Sequence, residues 1–373
     1  MSLLSTNPPL PSKYPTGSPS SSAPNSVERA NDEFAERVIG WQRRHGRHDL
    51  PWQRSRDPYA VWVSEIMLQQ TQVATVIAYY QRFLAAFPDV SALARAELDQ
   101  VLTLWSGLGY YARARSLHAA ARLLVERYDG EFPRDPQAIS GLPGIGRSTA
   151  AAIAALAYGV PAAILDGNVK RVLCRVFGIG GDPIAASTLR TLWTLAERLV
   201  PAREVATYTQ GVMDLGATIC LRRAPKCGVC PLRSDCVAAR DGRTDELPIA
   251  RATRSRRSSS VAMLILLHAA RVLLVKRPPA GIWGGLWCFP EAEIDDDPAI
   301  VCARRFGARS LRIEPLPPLD HGFTHFRLRI HPLRIEVSEL AGQAAGPGTV
   351  WLGIEEARAA AIPTPVRKLL EAA

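Results

Sequence analysis

The 373-residue chain reads as a mainly α-helical domain followed by a smaller α+β domain, and three observations lead there. Between Val27 and about Ala239, apolar residues recur at intervals of three and four, as in Val63, Ile66, Val73, Val76, Ile77, Tyr80, Phe83 and Leu84. That is the period of helices with one buried face. Beyond a basic break near Arg240 the pattern changes to short apolar runs, Val261–Leu267 and Val272–Val275, and to alternation over Phe326–Ile330, the signature of strands. At roughly 150 residues per domain the length suits about two domains.

The elements follow in order. Residues 1–26 contain 14 Ser or Pro and cannot bury enough apolar surface to fold, so a disordered tail is expected there. The helical domain is assigned to 27–240, a basic linker to 241–260, and the α+β domain to 261–373. The linker holds Arg251, Arg254, Arg256 and Arg257 followed by Ser258–Ser260. Ser148–Leu165 is uncharged and Ala-rich, but it carries Gly159 and Pro161 and runs into Asp166; it predicts a buried helix, not a membrane span. No repeat of fixed period is visible.

With 47% hydrophobic and 21% charged residues the chain is globular in composition. A net charge of +10 favours a polyanionic partner such as nucleic acid. No basic segment followed by an apolar one opens the chain, which predicts a cytosolic protein with reduced thiols.

Three motifs carry chemistry. Cys220, Cys227, Cys230 and Cys236 are spaced C-x6-C-x2-C-x5-C. Four thiolates suit zinc or a cubane iron–sulfur cluster, and a single C-x2-C flanked by longer spacings favours the cluster over paired zinc knuckles. Cys174, Cys288 and Cys302 lack such partners and read as buried thiols. The run Leu142-Pro143-Gly144-Ile145-Gly146-Arg147-Ser148 predicts a hairpin between helices whose glycine amides and Arg147 grip a DNA phosphate. Glu65, read at the start of a helix, and Asp166, with an N-cap as its simplest role, are carboxylates in apolar surroundings. Together they suit glycosidic cleavage, in which a buried carboxyl protonates the leaving base and an ionised one stabilises an oxocarbenium-like sugar.

These motifs, with Leu50-Pro51-Trp52, Ser64-Glu65 through Thr71-Gln72-Val73, Gly107-Leu108-Gly109-Tyr110-Tyr111-Ala112-Arg113 and Leu165-Asp166-Gly167-Asn168-Val169, resemble the MutY-type adenine DNA glycosylases. These belong to the helix-hairpin-helix superfamily that includes endonuclease III, and the likeness spans roughly 30–370. The resemblance implies a helix-hairpin-helix fold with a 4Fe-4S loop at the four cysteines. It also implies Glu65 as the acid toward a flipped adenine, Asp166 as the carboxylate facing the sugar cation, and support from Asn168 and Tyr110. Gln69 or Gln70, with Gln70 preferred, would enter the base stack. Gly144, Gly146, Arg147 and Ser148 would meet DNA, as would the charge of Arg222, Arg223, Lys226 and Arg233. Bifunctional relatives carry a lysine directly after the hairpin arginine; here Ser148 stands there, implying a monofunctional enzyme, with Lys170 near enough in sequence for weak nicking.

The C-terminal part resembles the Nudix-like domain of that family through Arg277-Pro278-Pro279 and Gly281-Ile282-Trp283-Gly284-Gly285-Leu286-Trp287-Cys288-Phe289-Pro290. The acidic R-E-x-x-E-E triplet that binds magnesium in Nudix hydrolases is replaced by Ala303-Arg304-Arg305-Phe306, so this domain is expected to bind and not hydrolyse. Phe323-Thr324-His325 matches the F-S-H loop that contacts 8-oxoguanine. The expected partner is therefore duplex DNA with adenine opposite 8-oxoguanine or guanine. It would be bound between the domains by a monomer in the cytoplasm at the nucleoid, or in the nucleus or mitochondrion of a eukaryote. A sister pyrimidine glycosylase or a non-catalytic mismatch binder are the rival readings.

Overall fold

The computed structural model describes residues 26–249, 257–323, 326–340 and 348–371. The tail expected at 1–26 therefore lies outside the described residues but for Ser26, which opens the first helix.

The helical part divides into two lobes. One is built from α2 (Pro58–Leu68), α3 (Val73–Ala86), α4 (Val90–Arg95), α5 (Leu98–Trp105), α6 (Ala112–Tyr128), α7 (Pro136–Ser140) and α8 (Arg147–Tyr158), around Trp62, Met67, Phe83, Trp105 and Leu117. The other joins α1 (Ser26–His45) to α9 (Gly167–Val176), α10 (Ala186–Leu199), α11 (Val205–Asp214) and α12 (Val237–Arg240), around Val38, Val172, Leu173, Leu192 and Leu215. Asp57, Asp135 and Asp166 cap α2, α7 and α9 by accepting backbone N–H bonds, which satisfies first-turn donors left without an intrahelical partner. The helix expected over Ser148–Leu165 is shorter: α8 ends at Tyr158, where Gly159 turns left-handed at φ +69°, and the following segment runs extended into the Asp166 cap.

The C-terminal part is a mixed sheet of β1 (Arg257–His268), β2 (Arg271–Lys276), β3 (Trp287–Cys288), β4 (Glu291–Ala292), β5 (Ala308–Pro315), β6 (Leu319–Gly322), β7 (Phe326–Leu340) and β8 (Thr349–Gly353). Its central path is β3-β2-β1-β7-β5, with β1 and β7 parallel from Arg257↔Phe326 to Leu267↔Glu336. Helices α13 (Pro298–Phe306), α14 (Ile354–Ala359) and α15 (Thr364–Glu371) complete the domain. The expected 241–260 linker is corrected at both ends. Leu247 is buried and its carbonyl accepts from Arg175 Nε at 2.8 Å, which ties that segment to α9. Residues 257–260 are already strand, because β7 offers them parallel partners.

The two parts are docked. Met263, Ile265 and Leu286 share one apolar cluster with Leu102 and Trp105. Asp99 accepts from Lys276 and, at 3.1 Å, from Trp287 Nε1, and Ser106 Oγ donates to Ile362 O at 2.6 Å. Among the described residues no helix is long and apolar enough to cross a membrane.

Candidate active site

A cleft of about 1500 Å³ opens between the two helical lobes, and Glu65 and Asp166 both line it. Glu65 sits in the last turn of α2, not at a helix start, which corrects the sequence reading and removes any help from the positive end of the helix dipole. Its neighbours Ser64 and Ile66 are buried. Burial of its own carboxyl, with the nearby Asp166 charge second, pushes its pKa up to about 7. Desolvation disfavours an anion, and a second anion disfavours it further.

Asp166 does serve as the N-cap of α9, accepting from Val169 N at 2.7 Å. That simple role and the site role coexist, because the cap position is also the lip of the cleft. Burial raises its pKa, while the Val169 and Asn168 amides and then Arg171 and Lys170 oppose the rise. Asn168 lines the same cleft, and its Oδ1 accepts from Arg171 Nη2 at 2.8 Å. Ser148 also lines it, its Oγ accepting from Leu165 N at 2.9 Å. Lys170 is not among the lining residues.

Arg47 and Gln210 were missed in the sequence. Both reach the cleft wall through the fully buried Asp214, whose carboxylate accepts from Arg47 N at 2.8 Å, Arg47 Nε at 2.7 Å and Gln210 Nε2 at 2.9 Å. Arg47 and Asp214 are 167 residues apart, and no local spacing joins them.

Tyr110 is placed elsewhere than expected. Left-handed at φ +51° and 45% exposed, it lines a second cleft of about 1550 Å³ between the helical and sheet parts, with Trp283, His321 and Phe323 opposite. Gln69 and Gln70 line both clefts. Gln69 Nε2 donates to Thr149 Oγ1 at 3.2 Å, whereas Gln70 is exposed and left-handed at φ +56°. Phe323 stacks on Phe326 at 4.4 Å and meets His321 edge-on at 4.6 Å. Thr324 and His325 lie outside the described residues.

The hairpin between α7 and α8 forms as read. Gly144 is left-handed at φ +76°, and a Cβ there would lie 2.5 Å from Ser116 Cβ, so glycine is required. A Cβ at Gly146 would meet nothing within 4 Å, which leaves that backbone open. Arg147 does not extend freely: its guanidinium lies 3.8 Å over the Trp193 ring and pairs with Glu197.

Cys220, Cys227, Cys230 and Cys236 line one small cavity. Burial pushes the Cys230 thiol up to about 11, and the other three thiols add to the rise. Arg175 Nη1 reaches Cys220 Sγ at 3.3 Å. Among the described residues no three His, Cys, Asp or Glu side chains converge closely enough to hold one metal ion. Arg222, Arg223, Lys226 and Arg233 are exposed around this loop. Cys174, Cys288 and Cys302 are buried elsewhere, as read.

A glycine hairpin between two helices, the second of which brings Ser148 and Thr149 to the same cleft as Glu65 and Asp166, is the arrangement of a helix-hairpin-helix base-excision glycosylase. Residues 63–198 match the HhH-GPD superfamily of base excision DNA repair proteins, and 261–372 match the NUDIX domain. A solved thermostable thymine-DNA glycosylase superposes with a TM-score of 0.52 at 30% identity, covering 58% of this chain and 100% of that one. The adenine DNA glycosylase of Buchnera aphidicola (subsp. Acyrthosiphon pisum) is 36% identical over 341 residues, 91% of this chain and 97% of its own. The Homo sapiens adenine DNA glycosylase is 34% identical over 402 residues, 90% of this chain and 73% of its own. The chain belongs to the adenine DNA glycosylase family.

Proposed function

We propose that the protein excises adenine mispaired with 8-oxoguanine, or with guanine, from duplex DNA and leaves an abasic site. The observation that carries this reading is the pairing of Glu65 and Asp166 across one cleft, with Gln69 and Gln70 at its lip. A Glu65 carboxyl pushed up to about 7 is available in its protonated form at neutral pH, as a general acid must be. The C1′–N9 bond breaks with its electron pair leaving on adenine, which takes the Glu65 proton. Asp166, ionised, faces the cationic sugar until water adds. Asn168 fixes the Asp166 turn through Arg171. The extruded adenine would be replaced in the stack by Gln70, whose side chain is exposed between the two clefts.

Recognition of the opposite base falls to the second cleft, with Tyr110 on one wall and Phe323, the first residue of the Phe323-Thr324-His325 motif, on the other; this gives Tyr110 a place in recognition instead of beside the carboxylates. The backbone at Gly144 and Gly146, with Arg147 and Ser148, would meet the DNA strand. The four cysteines line one cavity and would hold a 4Fe-4S cluster, because a single C-x2-C flanked by longer spacings suits a cluster better than paired zinc knuckles. The cluster would supply structural order to the basic loop around it and no bond-breaking chemistry. We take 27–249 and 257–371 as the working domains of a monomer acting on nucleoid or nuclear DNA.

The test is single-turnover cleavage of duplexes with adenine opposite 8-oxoguanine, opposite guanine and opposite thymine, with and without alkali. Release of free adenine and alkali-dependent breaks, fastest with 8-oxoguanine and absent with thymine, is expected. Equal rates on all three duplexes would remove the lesion reading, and release of another base would remove adenine.

A further inference from the structure

The second cleft has one wall from each domain, so something must set its width. Helix α6 begins one residue beyond Tyr110-Tyr111, and its first turn carries Arg113 and Arg115. Two residues along a helix are about 200° apart around its axis, so the two side chains leave on opposite sides. Arg113 donates to Ile66 O at 2.7 Å, Met67 O at 2.9 Å and Gln69 O at 2.6 Å, and its other terminal nitrogen reaches Thr71 Oγ1 and Gly109 O, both at 3.1 Å. It thereby closes the C-terminal end of α2, the helix of Glu65, and holds the Gln69–Thr71 turn.

Arg115 crosses the domain boundary and donates to Gly284 O at 2.5 Å. The loop that receives it is unusual in its backbone: Gly281, Trp283 and Gly285 have φ of +88°, +53° and +79°. A Cβ on Gly284 would lie 2.4 Å from Pro279 O, and one on Gly285 would press on Leu102 at 3.3 Å. A left-handed tryptophan is costly and persists only where its surroundings enforce it. Here Trp283 is buried, packs on His321 and Phe323 at 5.7 Å each, and forms the wall opposite Tyr110.

We propose that the first turn of α6 is a two-arginine clamp that sets the interdomain cleft, with Arg113 fixing the glutamine wall and Arg115 fixing the Trp283 wall, so that Arg115 is a positioning residue for discrimination of the base opposite adenine. The discrimination rests on the function proposed above; the clamp does not.

Two readouts on the full-length protein separate these. Amide hydrogen exchange over 277–287 should speed at least tenfold in Arg115→Met while exchange over 66–71 holds. The ratio of single-turnover rates on 8-oxoguanine and guanine duplexes should fall at least fivefold, with Arg115→Lys, which keeps a donor, restoring part of both. Unchanged exchange overturns the clamp whatever the substrate. Faster exchange with an unchanged ratio, or an equal fall on both duplexes, overturns the positioning role. A wild type that does not prefer 8-oxoguanine sinks the recognition reading and, with it, that role, while the exchange result still decides the clamp.

Discussion

Two clefts lie on either side of Gln69 and Gln70, and they are built on different principles. The inner cleft, between two lobes of one helical domain, carries its character in titratable side chains held where water is scarce; Glu65 and Asp166 both have raised pKa values there, burial being the first cause. The outer cleft, between two domains, carries aromatic faces and left-handed backbone at Tyr110 and Trp283. A bond-breaking site needs a few groups in chosen protonation states, which burial tunes directly. A recognition site needs a shaped surface, and shape comes from loops pinned by partners such as Arg115.

The largest test of the contrast is removal of the inner carboxylates. Glu65→Gln should lower single-turnover adenine release by about 10²–10⁴-fold, and Asp166→Asn comparably, with duplex binding retained in a gel-shift assay; a loss of binding instead would assign these groups to recognition. Next, Ser148→Lys should place an amine in the inner cleft and give strand cleavage without alkali and a borohydride-trapped adduct. Failure to trap would mean that the Ser148 wall does not face the sugar. The change also removes the acceptor for Leu165 N, a cost of about 1 kcal/mol.

The pH profile sharpens the same comparison. In the proposed mechanism Glu65 acts protonated, so the single-turnover rate should fall, toward tenfold per pH unit, as pH rises through about 7. In the same mechanism Asp166 acts ionised, and its pKa is raised, so the rate should also fall as pH drops toward the titration of that group; a rate that does not fall on the alkaline side of about 7 contradicts the Glu65 role. For stability the sign is opposite to that of a salt-bridged acid. A carboxyl whose pKa rises on folding penalises the fold once pH exceeds its unfolded value, and fully so above its folded value. A rise from 4.5 to about 7 corresponds to at most about 3 kcal/mol. Glu65→Gln should therefore raise the thermal midpoint more at pH 8 than at pH 4, checked by calorimetry.

The smallest effect is expected outside both clefts. Releasing Arg147 from Glu197 with Glu197→Gln should strengthen non-specific DNA binding by no more than about fivefold at low salt, as befits an exposed ion pair. Titration at two salt concentrations checks it, and the gain should vanish at the higher one.

The helices, the hairpin, the cysteine loop and the two-domain division were all legible, because each rests on residues close together in sequence: a 3.6-residue period, glycines at tight turns, four thiols within seventeen residues. Asp166 was legible as the cap of α9. Less legible was anything set by partners far along the chain. Glu65 was read at a helix start because its apolar neighbours do not reveal where Asp57 and Pro58 begin the helix. The linker was read too long because the partners of residues 257–260 lie near Phe326–Arg329.

The sequence by itself determined the folding class and the family, since local periodicity and motif spacing carry that information. Only the tertiary structure decided that Tyr110 belongs to the outer cleft, that Arg47 reaches the inner one through Asp214, and that Arg115 holds a loop 169 residues away. Those are contacts between distant segments. Chain packing brings them together, and no local pattern of residue types encodes which segments will meet.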